Sequence, residues 1–503
     1  MTHHDVPTRS RGRTDRSHQR LAPGDALVIG LLMVSTFTVL LNEMLLGVAL
    51  PTLLVELDIS ATTGQWLTTA YLLTLAVLIP ATGFVMRKFH LRTIFMTSMS
   101  LFVVGTALAA AAPGFEVLLA GRLVQAAGTA VFLPLLMATV MRIVPTARRG
   151  SVMAFVVVVT AAAPALGPAV SGLIMSQLSW RWLFLLMLPI GILALALGAL
   201  RLRNITTPEA VRLDLLSLAL SAIGFGALVY GLASIGESAS GHATVSPSLP
   251  IAVGLVGVAA FALRQVALQR NDAALLDMRI FAVRSFTVPL IVMLALTMTA
   301  FGIAVIFPLL LNNVVGLSSL QIGLFLVPGG VTIAVVSAIG GRLYDRIGPR
   351  PLVVPGAALV AGSLWLLSGV DETTGVWTLL TLYILMFVGQ ALMWSPLTTT
   401  ALSSLPRHLH PHGSAAFAAI QQLGGAAGAA VLVSAYTFGA DTESTGTLTV
   451  SESVSAARGA FTAAVAIACV SLLITLLVRR PSIPSPPTSE IETREAAVPA
   501  EQG

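Results

Sequence analysis

Charge is scarce in this 503-residue chain: 10% of it is Asp, Glu, Lys or Arg, against about 25% in an ordinary soluble domain. With 28 basic and 22 acidic side chains, the chain cannot coat the several soluble globules its length would otherwise allow. Disorder is excluded from the other direction, because 56% of the residues are hydrophobic and a disordered chain needs few of them. Cysteine occurs once, at Cys469, so no intrachain disulfide exists. Alternation of apolar with polar residues over strand-length stretches is missing, which excludes a spanning β-barrel. H-E-x-x-H, G-x-S-x-G and the phosphate-binding G-x-x-x-x-G-K are also missing. Neither intramembrane hydrolysis nor ATP use is therefore supported, no enzyme activity and no cofactor are expected, and energy must come from an ion gradient. His408, His410 and His412 have a spacing that would suit a transition metal on a strand, but they stand among Pro406 and Pro411 with no cysteine or nearby carboxylate. No metal site is expected there.

What is present is a series of long apolar runs. They predict helical membrane spans near 26–51, 64–86, 92–112, 115–141, 150–175, 182–200, 214–234, 249–268, 286–311, 319–341, 351–370, 375–402, 413–437 and 459–478. The basic residues test this count. Of the 28, 25 fall in the tails and in every second loop, Arg181 and Arg458 fall on the other side, and Arg122 lies inside a span. Because positive residues stay cytoplasmic, both termini are expected inside. A missed span would have inverted every later loop and scrambled this asymmetry. The net charge of +6 is then a topology signal with some attraction to the lipid bilayer, and no nucleic-acid partner is needed to explain it. The polar tails, 1–25 and 481–503, read as disordered. The loop 438–458, rich in Ser and Thr, is expected outside.

The segment GGRLYDRIGPR after span 10 matches GFVMRKFHLR after span 2, with Gly341 on Gly83, Arg346 on Lys88 and Arg350 on Arg92. Two repeated halves separated by two extra spans are a transporter signature. Gly341, Leu343, Asp345, Arg346, Gly348 and Arg350 fit the G-x-L-x-D-R-x-G-x-R motif of the major facilitator superfamily. LLAGRLVQAAG at 118–128 resembles that family's span-4 arginine motif. APALGPAVSG at 163–172 resembles its antiporter motif, here carried by Gly167, Pro168 and Gly172. LNEMLLGVALP, QWLTTAYLL and WRWLFLLMLPIG resemble the fourteen-helix drug:proton antiporter branch. Asn42–Glu43 and HPHGSAAF at 410–417 are most similar to its lincomycin-resistance-type multidrug exporters. The pattern departs in three motifs. The first loop motif has Met86 and Arg87 where Ala-Asp is usual, and His90 for Gly. The antiporter motif has Ala163 and Ser171 for two glycines, and the first span has Met44 and Gly47 for Thr and Asn.

The resemblance implies an all-α polytopic membrane protein with a major facilitator fold: two six-helix bundles, 26–203 and 271–480, with two additional helices in 204–270. It implies export of small amphipathic or hydrophobic compounds driven by proton entry, by alternating access, from the cell inner (plasma) membrane and as a monomer. Export of one endogenous metabolite, antibiotic or lipid is the alternative within transport. A non-transporting receptor or scaffold is the alternative outside it.

Sorting the 22 acidic residues by position leaves one, Glu43, deep inside a span, and among the bases only Arg122. A buried ion in a bilayer is costly, so both are functional candidates by default. Glu43 lies about 12 Å and Arg122 roughly 9 Å from the outer ends of their spans at 1.5 Å per residue. The family fold implies that both line one central cavity, which makes them the proton-coupling candidates. Asn42, Gln125, Gln390, Trp394, Gln421 and Gln422 are polar or aromatic candidates for substrate contact, and Met44, Phe132, Met298 and Phe301 are apolar ones. Gly167–Pro168 is a candidate pivot. Asp345, among Arg342, Arg346 and Arg350, is a candidate gating carboxylate that could clasp a neighbouring helix end or those arginines.

Overall fold

The computed structural model describes residues 23–59, 61–204, 208, 214–239, 246–271, 274–317, 319–439 and 449–478. The tails, up to residue 22 and from 479, lie outside the described residues, as do 440–448 of the expected outer loop. The described chain is helical almost throughout, as a chain must be when water is not at hand for its backbone N–H and C=O groups.

Spans 1 to 6 are built from α1 (Pro23–Glu56), α2 (Ala61–Leu78) with α3 (Thr82–Lys88), α4 (Leu91–Ala110), α5 (Phe115–Thr129) with α6 (Phe132–Ile143), α7 (Arg149–Gln177) and α8 (Arg181–Arg201). The two extra spans are α9 (Leu215–Ala239) and α10 (Ser248–Leu268). After a short helix, α11 (Arg279–Ala282), come α12 (Arg284–Asn313), α13 (Ser319–Ile347), α14 (Arg350–Ser368), α15 (Val376–Ser403), α16 (His410–Gly439) and α17 (Val450–Thr475). Among the described residues thirteen helical segments are long and apolar enough to cross a bilayer. The 29-residue α7 is the fourteenth helix of that length. The two divided spans break at proline. Pro80 sits in the 3-10 turn Ile79–Ala81 between α2 and α3. Pro134, in the first turn of α6, has no N–H to return to Ala130 where α5 ends.

Three local expectations are corrected. The last span begins at Val450, nine residues before the expected 459, so the outer loop is shorter than 438–458. The cause is a capping box: the Thr449 hydroxyl accepts from the Glu452 amide, and the Glu452 carboxylate accepts from the Thr449 amide at 2.7 Å. The His408–His412 segment is not a loop, since α16 starts at His410, with Pro411 in the first turn where a missing N–H costs nothing. Finally, Gly341 to Arg346 belong to the last turns of α13, and only Gly348 and Pro349 make the turn. Gly348 is left-handed at φ 84°. Its N-half counterpart His90 makes its turn extended, at φ −65° and ψ 145°, and so tolerates a side chain.

The first eight helices pack among themselves, α1 on α7 and α8, α4 on α5 and α8, and α2 on α5. The last six do the same, α12 on α16 and α17, and α14 on α15 and α17. The two groups meet where α7 packs on α13 and α15, and where α3 and α6 pack on α16. The α9–α10 hairpin stands beside this body, with α9 touching both α2 and α16.

Candidate functional site

Arg122, Gln125 and Thr129 recur at helical spacing on one face of α5, so the polar groups of that helix collect on a single side. Close approach to α4 presses that side inward. A Cβ on Gly105 would lie 2.5 Å from the Gln125 nitrogen, and one on Gly121 would lie 2.9 Å from the Ala109 nitrogen. With side chains absent at both points, α5 brings Gln125 against Thr106. The Arg122 Nη1 donates to Gln125 Oε1 at 2.7 Å, and Gln125 Nε2 donates to Thr106 Oγ1 at 2.7 Å. Tyr71 of α2 completes the cluster. Its ring lies under the guanidinium, 4.0 Å from Cζ to centroid, and its hydroxyl donates to Thr129 Oγ1 at 3.0 Å. Arg122 and Tyr71 are each 1% exposed and Gln125 is 0% exposed, so this cation is held by neutral and aromatic partners out of water.

Glu43 of α1 is partly exposed and feels the Arg122 charge through space. No ion pair within 4.0 Å joins the two. The carboxylate and the guanidinium are thus neighbours whose separation a small helix shift would change. Asn42, beside Glu43, is buried with both side-chain polar atoms unpartnered, as is Arg122 Nε. The structure therefore brings Glu43, Arg122 and Gln125 into one cluster. Both polar ends of Gln125 are spent on Arg122 and Thr106. Tyr71, Thr106 and Thr129 are members that the sequence reading did not single out. The available signal was the spacing of Thr129 from Arg122, and Tyr71 within QWLTTAYLL.

The antiporter motif lies against the same stretch of α1. A Cβ on Gly167 would sit 2.5 Å from Met44 Cβ, and Ser171, where a glycine is usual, donates to Leu45 O at 2.7 Å. The side chain of Pro168 is outside the description, and Gly172 has open space beside it. Met44 thus faces α7.

At the arginine-rich end, Asp345 accepts from the Gly150 amide at 2.9 Å, the Ser151 amide at 3.1 Å and the Ser151 hydroxyl at 2.7 Å. A carboxylate from α13 thereby caps the start of α7. Gly341 makes room for it: a Cβ there would lie 2.5 Å from Gly150 O. Arg350 does not turn to Asp345 but donates to Val478 O at 2.7 Å and Leu476 O at 2.9 Å, closing the end of α17. Arg346 is exposed on the last turn of α13.

The sequence profile of the Major Facilitator Superfamily matches residues 32–429. The chain belongs to the Major Facilitator Superfamily. Among curated relatives it is 36% identical over 462 residues to the MFS-type transporter YcnB of Bacillus subtilis, covering 92% of this chain and 96% of that one. It is 36% identical over 459 residues to the lincomycin resistance protein LmrB of Listeria monocytogenes, with 90% and 96% covered. It is 31% identical to a multidrug resistance protein B homolog of Mycobacterium tuberculosis, with 85% and 80% covered. Among solved structures, the human organic anion transporter MFSD10 has a TM-score of 0.64 at 16% identity, covering 90% of this chain and all of that one. The proton:xylose symporter XylE has a TM-score of 0.60 at 14% identity, covering 90% and 96%. These two likenesses concern the fold.

As a Major Facilitator protein the chain is a multi-pass membrane transporter of small molecules and not an enzyme, and its bacterial relatives place it in the plasma membrane. The other candidate residues are scattered over this fold. Phe132 is fully buried edge-on to Phe95, at 5.8 Å between centroids, and belongs to the packing of the first bundle. In the second bundle, Phe301 of α12 is 42% exposed and lies against Gly425 of α16, and the Met298 backbone touches Gly428. Gln421 and Gln422 are half-buried one turn away on α16. The amide nitrogens of Gln421 and of fully buried Gln390 have no partner, and Trp394 is half-buried. The apolar groove of about 330 Å³ between α2 and α9, lined by Trp66, Leu73, Val77 and Tyr230, is a separate feature. At 100° per residue it lies on the face of α2 opposite Tyr71.

Proposed function

We propose that this transporter exports small amphipathic or hydrophobic compounds in exchange for protons, by alternating access, as a monomer with both termini in the cytoplasm. The observation that carries the reading is the pairing of Glu43, the single carboxylate in the interior of a span, with Arg122 at through-space distance. Desolvation and a nearby cation act on a carboxyl in opposite directions, and opening or closing a cavity changes both. Glu43 then loads a proton in one state and releases it in the other, while Arg122 sets the balance. Supporting the drug class are the names of relatives, a lincomycin resistance protein and a multidrug resistance protein B homolog.

In this scheme the halves 26–203 and 271–480 rock about each other, with Gly167–Pro168 as pivot and the Asp345 clasp holding the cytoplasmic end shut. Asn42 and Met44 on one side, and Met298, Phe301, Gln390, Trp394, Gln421 and Gln422 on the other, supply the adaptable substrate contacts. Gln125 and Phe132 stand behind them as support for Arg122 and for the bundle.

The test is transport driven by a pH gradient, with purified protein in liposomes. Glu43→Gln keeps the shape and removes the titration, so uphill export should be abolished. Glu43→Asp should retain part of the activity. Undiminished uphill export by Glu43→Gln would sink the coupling mechanism.

A further inference from the structure

The repeat that pairs Gly341 with Gly83 also pairs Asp345 with Arg87. The elements opposite them are the first turn of α7, with Gly150 and Ser151, and the first turn of α16, which begins at His410 and carries His412. In the second half the carboxylate accepts from amides at a helix start. In the first half a cation occupies the equivalent place, and it can neither accept from those amides nor gain from the positive end of a helix.

The contacts on this side use other chemistry. Arg87 Nη1 lies 3.3 Å from His412 Nε2, and His412 Nδ1 lies 3.1 Å from Leu275 O. A carbonyl oxygen only accepts, so Nδ1 carries the proton and Nε2 presents the lone pair that the guanidinium needs. His412 is 2% and Leu275 0% exposed. Gly83 closes over both, since a Cβ there would be 3.1 Å from His412 Nδ1 and 3.3 Å from Leu275 O.

Leu275 belongs to the segment that leads out of the extra hairpin, and that hairpin fixes it. The amides of Leu275 and Leu276 donate to Gln265 Oε1 of α10 at 2.8 and 3.3 Å. Gln265 Nε2 donates to Ser217 Oγ of α9 at 2.7 Å, and Ser217 donates to Asp214, which Arg264 grips with two bonds. A continuous polar path therefore runs from the inserted hairpin to the tip of α3.

We propose that the α9–α10 hairpin is a working part of the gate: through Gln265 and the Leu275 carbonyl it seats a neutral His412, which replaces the missing carboxylate and receives Arg87 as the second clasp between the halves. Arg87 and His412 are the clasp, and Gln265 is a positioning residue. The consequence for transport rests on the alternating-access reading above. The clasp itself does not require proton coupling.

The test uses the full chain in a Cys469→Ala background with spin labels on Thr93→Cys and His408→Cys, both exposed at this end, one in each half. Distances are read by pulsed dipolar spectroscopy without substrate or pH gradient. Gln265→Met, His412→Ala and Arg87→Ala should each raise the ratio of long to short distances roughly fivefold, as loss of a hydrogen bond to a charged or buried group does. Gln265→Met preserves side-chain volume and carries the test if His412→Ala does not fold. Unchanged distances in the folded Gln265→Met and Arg87→Ala proteins overturn the proposal, whatever the outcome for Glu43.

Discussion

Asp345 and Ser151, 194 residues apart in sequence, share two hydrogen bonds on one carboxylate oxygen, from the amide at 3.1 Å and from the hydroxyl at 2.7 Å. The first amides of a helix have no partner within it and carry its positive end. A carboxylate delivered from the other half satisfies both the hydrogen-bonding need and the field at one point. Under the proposed alternating access, this contact would hold while the end is shut and be lost when it opens.

Asp345→Asn should therefore alter the balance of conformations and leave the binding residues untouched. A hydrogen bond to a charged group contributes about 1.5–3 kcal/mol, so turnover should fall on the order of tenfold while substrate affinity stays unchanged. Parallel measurement of binding and of transport in liposomes checks this. Normal turnover in Asp345→Asn, with transport abolished by changes at 86–88, would contradict it.

Gln125→Leu should destabilise the protein more than any single change at the rim of the cluster. It strips a fully buried guanidinium of its acceptor, and a hydrogen bond to a charged group contributes about 1.5–3 kcal/mol. Gln125→Glu keeps an acceptor and should be milder. Tyr71→Phe leaves the ring under Arg122 and gives up only the bond to Thr129, about 1 kcal/mol. Thermal stability in detergent, followed by size-exclusion chromatography, ranks the variants.

The hairpin gives a pH prediction outside the membrane spans. The two N–H groups of Arg264 hold the Asp214 carboxyl at about 2, below its ordinary 3.8. A depressed carboxyl contributes stability that is present above its unfolded value and is lost as pH falls through its folded one. Asp214→Asn should thus be less stable than the parent at pH 7, and the difference should shrink between about pH 4 and pH 2. Melting curves at several pH values test this, and a difference that persists undiminished at the acid end would refute it.

The distribution of arginines predicts the orientation, with both termini inside. In a Cys469→Ala background, a cysteine at Glu372 should react with an impermeant thiol reagent added to intact cells, and one at His408 should not. Labelling of His408→Cys from outside would invert the topology.

The sequence alone determined the membrane class, the fourteen spans and the two ionisable residues worth attention. Apolar run length and the cost of a buried ion are local properties that leave a direct trace in composition. The cluster's partners were less legible. Arg122, Gln125 and Thr129 lie on one face of one helix, and that spacing is visible, but Thr106 reaches them only because glycines let α4 and α5 close together, and Tyr71 comes from a third helix, α2. Helix ends were misjudged where side chains decide them, at Thr449 with Glu452 and at His410 with Pro411. Most of all, only the tertiary structure decided which groups meet Arg87 at this end of the molecule. An arginine where a carboxylate is usual reads as a lost contact, because sequence cannot show that His412 and a backbone carbonyl from an inserted hairpin are folded against it. Hydrogen bonding depends on which atoms meet, and partners hundreds of residues apart meet only through the packing of the whole bundle.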